Sequence, residues 1–318
     1  MPRVSIIIPV YNAARFVRDA IASALRQDLD DKEIIVIDDG SADDSLAIAR
    51  QYASGQVRVF AQPNRGASAA RNHGLREAHG EFIQFLDADD VLAPNKITEQ
   101  LRVLSSASTA LASGRWGVFF GETDEATFPN EIMYHSASPT DWMVEAWTAG
   151  GMMQPGCWLA SKALLDRIGP WDESLSLDDD GEYFGRAILA SDGVRFVETA
   201  LAYYRRHDGP RVSATVGVRG WKSSYRSCEL KEKMLLSIEN SERTRRACAS
   251  NYARFAWENF PESGDYARRA IARWQELDAD VRPPVGGPRE ALVARWIGWR
   301  WARRWQKLRC RHQRQLPR

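Results

Sequence analysis

The sequence predicts an α/β fold: a doubly wound, mostly parallel sheet with a C-terminal helical extension. Three observations predict it. Over the first hundred residues, near-continuous apolar runs of strand length alternate with amphipathic stretches of helix length, the pattern of a parallel sheet covered on both faces. Acidic clusters follow directly after two of those strands, where open α/β sheets bind ligands. Beyond about Val212 the strand signals stop and the chain reads as mostly helical to Leu277.

Val4-Ser5-Ile6-Ile7-Ile8 is a β-branched run stopped at Pro9, the first strand. Ala13 to Gln27 sets Phe16, Val17, Ala20, Ile21, Ala24 and Leu25 on one helical face. Glu33 to Ile37 is a second buried strand, and Ser41 is placed to cap a helix running through Tyr52. Val57 to Phe60 reads as a third strand, Gly66 to His79 as an Ala-rich helix stopped by Gly80, and Glu81 to Leu86 as a fourth strand. Right-handed crossovers between such strands give double winding. From about Ser105 to Thr140 the pattern weakens, with a strand at Trp116 to Phe120. Residues 140–200 hold short helices, a loop at Gly150-Gly151-Met152-Met153 and a late strand at Val194 to Val197. Asp278 to Pro288, rich in Pro and Gly, reads as a linker before a final helix from Arg289.

At 318 residues the chain has length for one large domain or two modest ones, and 44% hydrophobic with 27% charged residues is ordinary for a globular protein. The net charge of +1 conceals an asymmetry: residues 289–318 carry ten Lys/Arg and one Glu, so the preceding body is acidic. Cys157, Cys228, Cys248 and Cys310 are scattered and form no CxxC pair, which disfavours a thiolate zinc site and fits a reducing compartment. No apolar run reaches the about 18 residues of a spanning helix, and Val4–Val10 is too short for a signal-peptide core. The expected location is the cytoplasm.

Two acidic turns carry the chemistry. Asp38-Asp39-Gly40-Ser41 closes the second strand, where its carboxylates can accept hydrogen bonds from a base or ribose; an ordinary Asp-Gly turn is the alternative. Asp87-Ala88-Asp89-Asp90 follows the fourth strand. Two carboxylates flanking one small residue repel unless a cation lies between them, and a hard divalent ion bridging to diphosphate oxygens answers that; a solvated acidic loop is the alternative. Between the turns, Asn64-Arg65-Gly66 opens a helix that carries Arg71, and small residues there let a phosphate-bearing ligand approach. Neither GxGxxG nor GxxxxGK[ST] is present, which disfavours a dinucleotide oxidoreductase or a phosphate-loop NTPase.

These blocks resemble the family 2 glycosyltransferases. The resemblance is carried by Val4 to Asn12, Glu33 to Ser41, Asn64-Arg65-Gly66 with Ala70-Arg71-Asn72, and Phe85 to Asp90, in that order and spacing; it is strong over residues 4–100 and fainter to about 213. The resemblance implies a GT-A fold, a Rossmann-like sheet, and an inverting enzyme that takes a nucleotide sugar, with uridine diphosphate the family's commonest nucleotide. It implies that Pro9, Val10 and Tyr11 line the nucleobase slot, that Asp38 contacts the base with Asp39 and Ser41 beside it, and that Asn64, Gly66 and Arg71 lie near base and phosphates. Asp87 and Ala88 would face the ribose, and Asp89 would hold Mn²⁺ or Mg²⁺ on the diphosphate. Ala13 stands where the family often has an acidic residue.

In the second half, Gly169-Pro170-Trp171-Asp172-Glu173 resembles the family's Gly-x-aromatic-Asp-Glu turn, and Leu177 to Phe184 its Glu-Asp segment opening a helix. That register makes Asp180 the catalytic base and Asp179 the replacement for the usual Glu, with three consecutive Asp leaving one residue of play. An acidic first helical turn, favourable with the dipole, is the alternative. Tyr204 to Asp208 resembles the closing segment of the domain and offers His207 as a metal or phosphate contact. Among Trp142, Trp158 and Trp171, core packing suits most, and Trp158 is the candidate to stack on an acceptor sugar.

The domain plan expected is a GT-A domain over 1–213, with a nucleotide-sugar half at 1–104 and an acceptor half at 105–213, then a helical extension and linker at 214–288 and a basic, aromatic tail at 289–318. Val293, Ile297, Trp301, Trp305 and Leu308 recur at helical spacing among arginines. An interfacial helix on an anionic membrane and a helix packed on protein both fit; no nucleic-acid motif accompanies it. Expected partners are the donor and a saccharide or lipid-linked acceptor, in cell-surface polysaccharide or glycolipid synthesis. A sugar-1-phosphate nucleotidyltransferase would need a Gly-rich loop where Ile8-Pro9-Val10-Tyr11 stands, and a non-catalytic binding module would not need Asp38, Asp87, Asp89 and Asp180 together.

Overall fold

The computed structural model describes residues 2–104, 109–151, 153–208 and 217–315, with side chains as far as Arg309. The chain divides into two compact units, residues 1–146 with 151–212, and residues 147–150 with 213–318.

The first unit is built on a five-stranded sheet. Strands β1 (Val4–Val10), β2 (Lys32–Asp38), β3 (Val57–Ala61) and β4 (Phe82–Phe85) run parallel, and β7 (Ala160–Ser161) closes one edge antiparallel, in the order β3-β2-β1-β4-β7. Ile6, Ile7 and Ile8 of β1 and Ile34 to Ile37 of β2 are fully buried, as expected of strands covered on both faces. Helices α1 (Val17–Leu25), α2 (Ser45–Arg50) and α3 (Ala67–Glu77) make the crossovers. Gly74 lets α3 lie directly on β1, since a Cβ there would sit 2.3 Å from Ile7 Cγ2. Winding out from β1 to β3 and then back to β4 creates a switch point beside β1, and the carboxyl ends of β1, β2 and β4 open onto it.

Ser41 does not cap α2. Its Oγ accepts from the Asn12 amide at 3.0 Å, its own amide donates to Asp38 Oδ2 at 3.1 Å, and the helix begins only at Ser45. The tertiary partner at Asn12 outcompetes the local cap.

A second, three-stranded sheet, β5-β8-β6, extends the unit. Strands β6 (Leu111–Phe119) and β8 (Val194–Arg205) are far longer than the segments expected at 116–120 and 194–197, and β5 (Val91–Leu92) is a two-residue strand with no sequence signal. The pair β6–β8 is parallel with a shift between Gly114 and Arg115; a Cβ on Gly114 would meet the Ala200 carbonyl oxygen at 2.1 Å. Helices α4 (Lys96–Leu101), α5 (Pro139–Ala149), α6 (Lys162–Ile168) and α7 (Asp179–Leu189) complete the pattern.

The second unit contains helices α8 (Val218–Ile238), α9 (Glu242–Asn259), α10 (Asp265–Leu277), α11 (Pro288–Ile297) and α12 (Trp299–Gln315). Tyr225, Tyr252, Phe255, Ile271 and Trp274 form its core, and Trp299 packs against that cluster. The single final helix expected from Arg289 is two helices, broken at Gly298 with φ +86°. Among the described residues no helix is long and apolar enough to cross a membrane.

Candidate active site

The first acidic turn divides its work between two carboxylates. Asp39 is consumed by the protein: Oδ1 accepts from Gln62 Nε2 (2.7 Å) and the Arg65 amide (3.0 Å), and Oδ2 from the Gly66 amide (2.7 Å). Asn64 Nδ2 donates to the Asp39 carbonyl at 3.0 Å. Asp39 and Asn64 thus clamp the loop that leads into α3. Asp38 differs. Its Oδ2 takes the Ser41 amide, while Oδ1 is buried with no partner among the described residues, an unsatisfied acceptor at the end of a central strand.

The β1 turn is held without an acidic residue at position 13. The amides of Asn12, Ala13 and Ala14 donate to Ser41 Oγ, Ser45 Oγ and Asp43 Oδ2, and Asn12, at φ +49°, accepts the Ala42 amide at 2.8 Å. Of the expected slot residues, Tyr11 is exposed and Pro9 half-buried. Val10 is buried at the end of β1.

Arg71 sits at the centre of the unit. It is 5% exposed, its Nη2 donates to Asp87 Oδ1 at 2.7 Å, its Nη1 donates to Asp179 Oδ2 at 3.0 Å, and its guanidinium lies 4.5 Å above the Trp171 ring. Ser68 Oγ also donates to Asp179, at 2.9 Å. Burial disfavours the charge on Arg71, but Asp87 and then Asp179 more than restore it and raise its pKa. One cation therefore ties the acidic turn after β4 to the first turn of α7.

At the second acidic turn, Asp89 Oδ2 is 3.2 Å from His207 Nε2. Burial and the neighbouring Asp87 push the Asp89 carboxyl up, against the pull of His207. Asp90 is a different case: it is buried, and its Oδ1 accepts the Arg205 amide at 2.9 Å, while Arg205 Nε donates to the Asp89 carbonyl. Among the described residues no group of three or more His, Cys, Asp or Glu side chains is arranged to hold a metal ion. Asp89 and His207 supply two donors, a carboxylate oxygen and an imidazole nitrogen, in a place where crowded carboxylates favour a cation. The carboxylate oxygen suits a hard divalent ion and the imidazole nitrogen is a softer donor, so the rest of the shell would come from water or phosphate oxygen.

Asp178 adopts a left-handed conformation (φ +59°) and delivers Asp179 and Asp180 into the start of α7. Asp179 is spent on Arg71 and Ser68. Among the described residues Asp180 Oδ1 accepts only its neighbour Gly181's amide, at 2.8 Å. Burial, then Asp179 and Asp178, push the Asp180 carboxyl up to about 7 against the opposing pull of Arg71. A carboxyl whose pKa lies near the working pH can exchange a proton under ordinary conditions.

Trp158, the candidate to stack on an acceptor sugar, is packed in the core. It is 2% exposed, stacked on Phe184 at 5.3 Å and edge-on to Trp142 at 5.4 Å. Its carbonyl accepts from the buried amine of Lys96 at 3.4 Å, a lysine whose pKa burial pushes down to about 7. Neither Trp142 nor Trp171 presents a face to solvent; Trp171 stacks on Tyr183 at 4.0 Å beneath Arg71.

With this geometry in view, the comparisons with known proteins decide the family. The family model described as Glycosyl transferase family 2 matches residues 5–169. The chain belongs to glycosyl transferase family 2. The uncharacterized glycosyltransferase EpsJ of Bacillus subtilis is 44% identical to this family 2 chain over 218 residues, covering 65% of it and 62% of EpsJ. The chain spans less than two thirds of the first curated relatives it matches, 61% and 65% of their lengths. Two solved structures share the GT-A fold. TarS 1–349 of S. aureus, solved with UDP-GlcNAc, has a TM-score of 0.63 at 18% identity and covers 88% of this chain and 91% of its own. The mannosyltransferase PcManGT of Pyrobaculum calidifontis, solved with GDP-Man and Mn²⁺, has a TM-score of 0.55 at 17% identity, covering 97% and 84%.

Sequence reasoning assigned no role to two residues that organise this family 2 site. Asn72 brackets Trp171, accepting its amide at 2.8 Å and donating to its carbonyl at 3.0 Å, and also donates to Glu173. Arg205 joins Asp89, Asp90 and Asp19 from the end of β8. Both fall within the blocks that carry the family resemblance, but their partners lie more than 90 positions away, so sequence alone assigns them no role of their own.

Proposed function

We propose that the chain is an inverting glycosyltransferase that moves a sugar from a nucleoside-diphosphate sugar, preferentially a uridine diphosphate sugar, to an acceptor hydroxyl. The observation that carries this reading is the ion-pair chain in which Arg71 ties Asp179, next to Asp180 at the start of α7, to Asp87 of the acidic turn. The ligands named for TarS (UDP-GlcNAc and, in another crystal, UDP) and PcManGT (GDP-Man, Mn²⁺) support a nucleotide-sugar donor.

In this reading residues 1–104 hold the donor and 105–213 the acceptor. Asp38 Oδ1 accepts an N–H of the nucleobase, which satisfies the buried oxygen, with Tyr11 and Pro9 beside the ring. Asp87 faces the ribose. Asp89 and His207 are the residues that would hold Mn²⁺ or Mg²⁺, which when bound offsets negative charge on the diphosphate. Arg71 keeps Asp179 and Asp87 in place and adds positive potential at the leaving group's side. Asp180 takes the proton of the acceptor hydroxyl as its oxygen forms the bond to the anomeric carbon. The bond from that carbon to the diphosphate breaks, the electron pair leaves with the nucleoside diphosphate, and the configuration inverts. The acceptor is a saccharide or lipid-linked glycan of cell-surface polysaccharide or glycolipid synthesis, reached from the cytoplasmic side of the membrane.

The test is nucleotide release by the full chain from a panel of uridine and guanosine diphosphate sugars with Mn²⁺ and saccharide acceptors. Acceptor-dependent release with inverted product stereochemistry is the expected result. A product of retained configuration overturns the single-displacement scheme, and no release from any donor overturns the activity.

A further inference from the structure

The helical unit ends in a surface that the transferase reading leaves unexplained. Trp296 is 80% exposed, Trp301 56% and Leu308 63%, with Trp305, Leu292 and Ile297 also open to solvent. Isolated exposed apolar residues are unremarkable, but several indoles in two short helices are not.

The two faces of α12 differ. Ala302 is fully buried, Trp299 packs at 5.4 Å from Phe260 and 6.0 Å from Trp274, Arg303 donates to the Glu258 carbonyl at 2.6 Å, and Lys307 pairs with Glu262. That side is anchored to α9 and α10. Trp301, Trp305 and Leu308, at spacings of four and three, form the opposite side. In α11, Leu292 and Trp296 form a second exposed row four residues apart.

The cations sort in the same way. Arg303, Lys307 and Arg309 meet groups of the unit itself, Arg309 through Glu290. Arg295, Arg300 and Arg304 are exposed and make no ion pair among the described residues; Arg304 lies 5.1 Å over the Trp301 ring and 5.5 Å over Phe260, and Arg300 5.7 Å over Trp299, contacts that leave their charge uncompensated. Indoles interleaved with uncompensated guanidinium groups match the boundary between anionic headgroups and acyl chains. A second copy would bring the same positive surface against this one, which like-charge repulsion opposes.

We propose that the outer face of α11 and α12 docks on an anionic lipid bilayer, lying in its plane with Trp296, Trp301 and Trp305 inserted at headgroup depth and Arg295, Arg300 and Arg304 on the phosphates. This deepens the membrane-side location read above but does not depend on the transferase chemistry.

The test is co-sedimentation of the full chain with vesicles of phosphatidylcholine, alone or mixed with phosphatidylglycerol. Two variants accompany it: W296S/W301S/W305S and R295Q/R300Q/R304Q, all at exposed positions. The wild type partitions to the anionic vesicles only, and added salt weakens it. Each arginine near such a surface is worth about fivefold, so the arginine variant loses about 100-fold. The tryptophan variant loses at least about tenfold. Nucleotide release on a soluble acceptor stays unchanged in both, so failure of docking and failure of catalysis are read separately. Wild type left in the supernatant, or variants that partition like wild type, overturns the proposal. So does a concentration-dependent oligomer that the tryptophan variant converts to monomer while wild type ignores vesicles.

Discussion

Arg71 Nη1 lies 3.0 Å from Asp179 Oδ2, so a helix within the first eighty residues grips the opening turn of one that begins more than a hundred residues later. The second arm of the same guanidinium holds Asp87. A lysine has a point charge and no planar fork, so Arg71→Lys cannot hold both carboxylates over the Trp171 ring. Breaking a buried pair costs about 3–5 kcal/mol; Asp87 retains 28% side-chain exposure, which places this loss near the lower end. Denaturant unfolding checks it, and unchanged stability in Arg71→Met removes Arg71 as the tie.

Asp180 should govern the pH profile. Its carboxyl is pushed up to about 7, so below that pH it carries a proton and cannot accept another. Turnover is expected to fall about tenfold per pH unit below 7 and to level above it. Asp180→Asn should lower kcat by about 10²–10⁴-fold while leaving donor binding in place. The sign for stability is opposite to that for rate. A folded-state pKa above the unfolded value means the folded chain holds the proton more tightly. Asp180 therefore favours folding least above pH 7, and its cost fades as pH falls toward the ordinary carboxylate range. Asp180→Asn is accordingly more stable than wild type at pH 8, checked by thermal melts at that pH; a less stable variant there contradicts the burial cause.

Asp89→Ala and His207→Ala should weaken Mn²⁺-dependent donor binding. Losing an outer-shell partner alone costs about 10–100-fold in metal affinity, which sets the floor for losing a direct ligand. Calorimetric titration of uridine diphosphate with and without Mn²⁺ reads this. Asp38→Ala, by contrast, should weaken binding equally in both conditions, because in the proposed reading its unpaired oxygen accepts from the base and not from the metal-bound diphosphate. Metal dependence intact in Asp89→Ala would move the ion elsewhere.

Trp158→Ala should destabilise the fold by about 3–5 kcal/mol, the range for deleting a large buried aromatic side chain. Trp158→Phe should keep the acceptor KM of wild type. A raised KM in a normally stable Trp158→Phe protein would return Trp158 to the acceptor site.

Most of the first sheet was legible because its strands are buried on both faces and so read as near-continuous apolar runs, from Val4 to Ile8 broken only by Ser5, and from Ile34 to Ile37. The second sheet was not. In β8 exposed Arg195, Glu198 and Thr199 interrupt the apolar pattern, and β5 is too short to have one. Trp158 illustrates the limit at the site. Its residue type suits both sugar stacking and core packing, and only the placement of Phe184 and Trp142 around it selects the core.

The amino-acid order alone determined the α/β class, the family 2 blocks and the two acidic turns, because strand burial and turn chemistry are written in adjacent residues. Tertiary structure alone decided which carboxylates are spent and which stay open. Asp39 and Asp179 are tied by donors from distant loops and helices, whereas among the described residues Asp38 Oδ1 has no partner and Asp180 Oδ1 only its neighbour's amide. Hydrogen-bond satisfaction depends on groups brought together across the whole chain, and neighbouring residues of one type give no hint of it.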